Sequence, residues 1–63
     1  MKKTQEYEGR TITAETHKRG NRYTWSYQTD VGEIIECRGL GIHSKESALS
    51  EAIENAKSAI DSN

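Results

Sequence analysis

The stretch Arg22 to Asp30, RYTWSYQTD, places Tyr23, Trp25 and Tyr27 on every second residue. Alternation of that length specifies a half-buried β-strand, because successive strand side chains point to opposite faces. The segment holds the one Trp and two of the three Tyr in a chain without Phe. Aromatic side chains offer the largest areas to bury, so the core has to form around this strand. The rest of the chain must supply partner strands and a cover for the aromatic face.

Tyr7 to His17, YEGRTITAETH, reads as the preceding strand. Ile12 and Ala14 share one phase and Thr11, Thr13 and Glu15 the other, the pattern of a strand with one wet face. Gly9 marks a bulge or the true start of that strand, and the polar segment Met1 to Glu6 is expected to be a loose start or a frayed strand end. Lys18-Arg19-Gly20-Asn21 is a turn signal joining these two strands as an antiparallel hairpin. Asp30-Val31-Gly32 is a second turn, and Glu33 to Arg38 a third strand. Ile35 and Cys37 are expected on the core side and Ile34, Glu36 and Arg38 on the open side, although the adjacent isoleucines leave the phase ambiguous.

Gly39-Leu40-Gly41-Ile42-His43 crosses from sheet to helix. Its Gly-x-Gly precedes a helix N-terminus, where phosphates can bind, but it lacks the third glycine and the βαβ setting of a dinucleotide site. Ser44 is a good N-cap for a helix over Lys45 to Asp61. Leu49, Ala52, Ile53, Ala56 and Ile60 form one helical stripe, flanked by Ala48 and Ala59. The expected architecture is α+β: a single domain over residues 1–63, in which a three-stranded antiparallel β-meander packs against one C-terminal helix (β-β-β-α).

At 63 residues and 32% hydrophobic content, such a domain has little apolar surface to bury, and chains of this size often gain stability by dimerising or binding a partner. The net charge of −1 argues against a dedicated nucleic-acid binder. Residues 1–31 nevertheless carry six Lys/Arg against four acids, and residues 32–63 three against six. A single cysteine, Cys37, rules out an intramolecular disulfide and offers no metal-ligand cluster; its alternation with Ile35 makes it a buried structural thiol. With no apolar run long enough for a signal peptide or membrane span, the expected location is the cytoplasm.

Little here suggests catalysis. His17 reads as a strand-end residue and His43 as a helix-entry residue, and no nucleophile has a base nearby in sequence. Glu15 and Glu36 share the open face as ordinary surface carboxylates. No cofactor, metal or small-molecule substrate is implied. The informative surface is the open sheet face, with Arg22, Thr24, Ser26 and Gln28 flanked by Thr11, Thr13 and Glu15 on one side and by Ile34, Glu36 and Arg38 on the other. With Lys18 and Arg19 in the adjoining hairpin, Lys18, Arg19, Arg22, Thr24, Ser26, Gln28, Ile34, Glu36 and Arg38 are the candidate partner-binding residues.

Three antiparallel strands followed by a helix resemble the arm-type DNA-binding domains of tyrosine recombinases, which implies bases read from the exposed sheet face by the Arg-x-Thr-x-Ser-x-Gln row. EAIENAKSAID, at Glu51 to Asp61, resembles the helix of HicB-type antitoxins, although the chain has none of that family's prolines. The broadest likeness runs through Tyr7-x-Gly9-x-x-Ile12, Arg22-Tyr23-x-Trp25-Ser26-Tyr27, Cys37-Arg38, Ser44-x-x-x-Ala48 and Ala52 to Asp61. It is similar to a group of small bacterial proteins of uncharacterised function, and implies a stand-alone β-β-β-α domain. The function expected is a non-enzymatic binding or regulatory module working through protein–protein contact, as a homodimer or as an inhibitor carried by a mobile element. Sheet-mediated DNA binding is the alternative.

Overall fold

A computed structural model describes residues 1–30, 32–37 and 41–62. The aromatic segment becomes the strand β3, Arg22–Thr29, within a four-stranded antiparallel sheet. The other strands are β1 (Lys2–Tyr7), β2 (Arg10–Arg19) and β4 (Ile34–Glu36), in the spatial order β1-β2-β3-β4, and one helix α1 (Lys45–Asp61) follows. The class is α+β as expected, but the sheet has four strands rather than three.

The added strand is the N-terminal segment expected to be a loose start or a frayed strand end. Lys2 to Tyr7 pair with β2, from Lys2 opposite Glu15 to Tyr7 opposite Arg10. The strand expected over Tyr7–His17 is therefore broken at Glu8-Gly9, a two-residue hairpin loop with φ of 52° and 77°. Positive φ at both central residues matches the right-handed twist of a hairpin. Of the two readings of Gly9, a bulge or the true start of the strand, the second holds: Gly9 completes the turn and β2 begins at Arg10.

The register fixes the faces. Ala14 lies opposite Tyr27, Thr16 opposite Trp25 and Lys18 opposite Tyr23. Tyr23, Trp25 and Tyr27 therefore share one face with Ile12, Ala14 and Thr16. The helix lies over this face, packed on β3 and β2 and reaching β1. Ala48, Ala52 and Ala56 recur every fourth residue and are fully buried. Their small side chains let the helix backbone approach rings that stand tall on the sheet, with Trp25 and Tyr27 stacked at 6.1 Å between centroids. Ile12 and Ile53 complete the core, with Leu49 and Ile60 half-buried around it.

Both ends of the helix are tied down. Ser44 Oγ accepts from the Ser47 N–H, the expected N-cap. Just before it, Ile42 and Tyr23 exchange backbone hydrogen bonds of 2.7 and 2.8 Å, which fastens the helix entry to the start of β3. Gly41, at φ +99°, makes that approach: a Cβ there would lie 3.0 Å from the Tyr23 carbonyl oxygen. At the far end the Tyr7 hydroxyl donates to both carboxylate oxygens of Asp61 at 3.0 Å, and the Lys57 ammonium sits 5.3 Å from the Tyr7 ring centre. α1 therefore runs along β3 and β2, its N-terminus near the β2–β3 hairpin and its C-terminus near the β1–β2 turn.

The expected third strand shortens to Ile34–Glu36. Val31 in the preceding turn, and Arg38, Gly39 and Leu40 after it, lie outside the described residues. Ile35 does face the helix side, opposite Tyr27, but it is 37% exposed rather than core, because α1 covers β2 and β3 and stops short of the edge. Cys37 is half-buried against the core. No helix among the described residues is long and apolar enough to cross a membrane.

Truncating the ring at the centre of this packing, Trp25→Ala, should cost about 3–5 kcal/mol, a large share of the stability of so small a domain. Urea unfolding followed by far-UV circular dichroism is expected to find the variant largely unfolded in buffer. A folded variant of near-native midpoint would show that the core lies elsewhere.

Candidate binding surface

The strand register that buries Tyr23, Trp25 and Tyr27 turns Arg22, Thr24, Ser26 and Gln28 to the opposite face. Thr11, Thr13, Glu15, His17 and Arg19 of β2, Lys2, Thr4 and Glu6 of β1, and Ile34 and Glu36 of β4 lie on that same open face. Of the candidate partner-binding residues, Arg19, Arg22, Thr24, Ser26, Gln28, Ile34 and Glu36 are brought together there. Lys18 sits in the helix-side phase at the hairpin end, opposite Tyr23. Arg38 lies outside the described residues.

The face is not uniformly available. Thr24 and Ser26 are only 9% and 8% exposed: short side chains at the sheet centre, they lie in a trough between taller neighbours. Beside them a shallow depression of about 110 Å³ is lined by Lys2, Thr13, Glu15, Ser26, Gln28 and Ile34, among others. Ile34 is 61% exposed, whereas Gln28 is held by a hydrogen bond from its amide to the Gly32 carbonyl.

His17 sits between a hydroxyl and a carboxylate, but not in the arrangement of a nucleophilic triad. Its Nε2 lies 3.2 Å from Ser26 Oγ and 3.6 Å from Glu15 Oε1. A nucleophilic triad needs the acid on one ring nitrogen and the hydroxyl on the other, but here both meet the same nitrogen. Among the described residues no group of three or more His, Cys, Asp or Glu could hold a metal ion. This His17 cluster and the contribution of Lys2 were not apparent from sequence, because both depend on strand pairings that alternation alone does not reveal.

Two features outside the open face emerge from the fold. The first is the contrast between the sheet edges. β1 carries Lys2, Lys3 and Glu6, charges that guard an edge against strand pairing, whereas β4 presents exposed Ile34 and Ile35, one on each face. The second is a segregation of charge along the 35 Å long axis. Glu8, Glu54 and Asp61 all act electrostatically on Tyr7, whose phenol pKa is raised above its usual 10.0, first by its hydrogen bond to Asp61 and further by partial burial and these charges. Asp30, paired with Arg10 at 2.7 Å, is at the same end.

Comparison with known protein families, curated proteins and solved structures returned no match.

The Tyr7–Asp61 bond has a pH signature. A phenol whose pKa is raised on folding adds stability that is whole below the unfolded value and lost as pH rises through the folded one. Tyr7→Phe is expected to lower the urea midpoint at neutral pH, with the gap to wild type narrowing as pH rises above the ordinary phenol value of 10.0 and Tyr7 loses the proton it donates to Asp61. A gap that stays constant across this range would remove the hydrogen bond from the account.

Proposed function

We propose that this chain is a non-enzymatic protein-interaction module that pairs along the β4 edge, with a second copy of itself as the first occupant. The exposure of Ile34 and Ile35 on a short edge strand whose one charged residue is Glu36 carries this reading. A strand end with unpaired backbone groups and apolar side chains on both faces is a template for strand addition.

A second observation agrees. Where α1 stops short of β4, a cavity of about 140 Å³ opens between sheet and helix, lined in part by Tyr27, Ile35 and Ile60. A strand added beside β4 would place its own side chains against this opening. In a two-fold antiparallel pairing centred on Ile35, the two Ile35 side chains meet on the helix side, and each Ile34 lies beside the partner's Glu36. Docking the whole open face on DNA is less well supported, because Glu15 and Glu36 flank Ser26 in its central row and would face phosphates.

The test is solution mass by light scattering over a concentration series, for wild type and Ile35→Lys. A wild-type dimer is expected, with the substitution raising its dissociation constant about tenfold or more, a change worth about 1.4 kcal/mol. A wild-type chain that remains monomeric at millimolar concentration, or a dimer indifferent to Ile35→Lys, would overturn pairing through β4.

A further inference from the structure

The ten-residue β2 outruns its outer neighbours. On the β1 side the pairing ends with the Thr16 N–H donating to the Met1 carbonyl, and on the β4 side the Cys37 N–H still donates to the Trp25 carbonyl. The hairpin end from His17 to Arg22 reaches past β1, and on the β3 side it is flanked by Ile42, which exchanges backbone hydrogen bonds with Tyr23. The tip, Lys18-Arg19-Gly20-Asn21-Arg22, contains no apolar and no acidic residue.

Its charges are arranged at a cost. Arg19 lies directly opposite Arg22, both on the open face, and like charges in a cross-strand pair destabilise a hairpin. Among the described residues neither the Lys18 nor the Arg19 side chain has an ion-pair or hydrogen-bond partner, and the Arg22 side chain reaches only the Gly41 carbonyl at 3.4 Å. Other positive groups gather at this end. Lys2 and Lys3 start β1 on this side of the sheet, opposite Glu15 and Ala14, and the bridge at Ile42 brings in Lys45 and the α1 N-terminus, the positive pole of the helix dipole, whose first turn also holds Glu46. Most of the acids lie toward the other end, among them Glu6, Glu8, Asp30, Glu33, Glu54 and Asp61. Glu15, the acid nearest the tip on the open face, is opposed by Lys2 and lies 3.6 Å from His17.

We infer that the β2–β3 hairpin end binds the phosphodiester backbone of nucleic acid, with Arg19 and Arg22 sharing phosphates on the open face and Lys18 adding a contact from the other side. An acidic end of a second copy fits less well, since a cross-section of 18 × 17 Å offers about 300 Å² against the roughly 800 Å² per partner of a stable interface. Phosphate binding draws on counterion release rather than buried area. An anionic membrane would call for apolar residues to insert, and the tip has none. The inference is independent of pairing through β4, which uses a different edge.

Fluorescence anisotropy with a labelled mixed-sequence duplex tests it. Three phosphate contacts give a salt slope near −2.7, so affinity should fall about forty-fold between 50 and 200 mM salt. Replacing Lys18, Arg19 and Arg22 together by Gln is expected to abolish most of the binding at low salt, whereas Glu33→Gln should leave the slope unchanged. The thermal midpoint gives a second readout: Arg19→Gln relieves the Arg19–Arg22 repulsion, so it should raise the midpoint while weakening the complex. No binding at 50 mM salt, binding that survives the triple substitution, or capture by vesicles of anionic phospholipid without capture by the duplex would each overturn the proposal.

Discussion

The seating of an alanine stripe on an aromatic strand sets the geometry of the whole domain. Trp25 and Tyr27 rise far enough from the sheet that only a helix with small residues at 48, 52 and 56 can approach closely, and these three are fully buried. That contact aligns α1 with the strands, and the alignment decides what surrounds it. The helix entry must return to Tyr23, which calls for Gly41 at positive φ against the Tyr23 carbonyl. The helix exit meets Tyr7, so the N-terminal strand is held by a side chain as well as by its ladder. Because one helix spans the width of about two strands, β4 is left at the margin with its isoleucines only partly covered.

The central elements were legible because each carries a repeating physical signal. Period-two aromatics gave β3, Ile12 and Ala14 gave the inward phase of β2, and Ser44 with the apolar stripe gave α1 with its cap. The face assignments for Arg22, Thr24, Ser26 and Gln28 followed from the same alternation. β1 escaped because its inward residues Lys3 and Gln5 are polar and only Tyr7 is not, so there is no hydrophobic period to read. Its turn was hidden as well: Glu8 takes a positive φ that residues other than glycine seldom adopt. Pairing with an already defined strand, rather than burial, is what makes Lys2–Tyr7 a strand.

The charge pattern was harder to read for a different reason. In sequence the halves differ by sign, positive then negative, which suggests a basic N-terminal half. Folding redistributes this. β1 and β2 are antiparallel, so Lys2 and Lys3 come to lie toward Lys18 and Arg19, while Glu6 and Glu8 are carried to the far end with Asp61. The helix then adds its own dipole in the same sense, with Asp61 in its last turn where a cation would normally be favoured. The relevant division is between the two ends of the molecule, and only the strand register reveals it.

This polarity bears on how two copies would pair. Side by side along β4 in parallel, they would set basic end against basic end and acidic against acidic over the length of the domain. Antiparallel pairing reverses one copy, so that each basic hairpin lies alongside the partner's acidic end and the two molecular dipoles oppose. Solvent and salt screen such interactions at the surface, so they add little to affinity, but they act on the choice between two registers with otherwise similar backbone hydrogen bonding. Like-charge juxtaposition is the effective discriminator in interfaces of this kind. The same arrangement leaves both hairpin tips at opposite poles, clear of the paired edge. The sheet edge and the charged tip therefore place no competing demand on one surface, because a single meander topology assigns them to different sides of the domain.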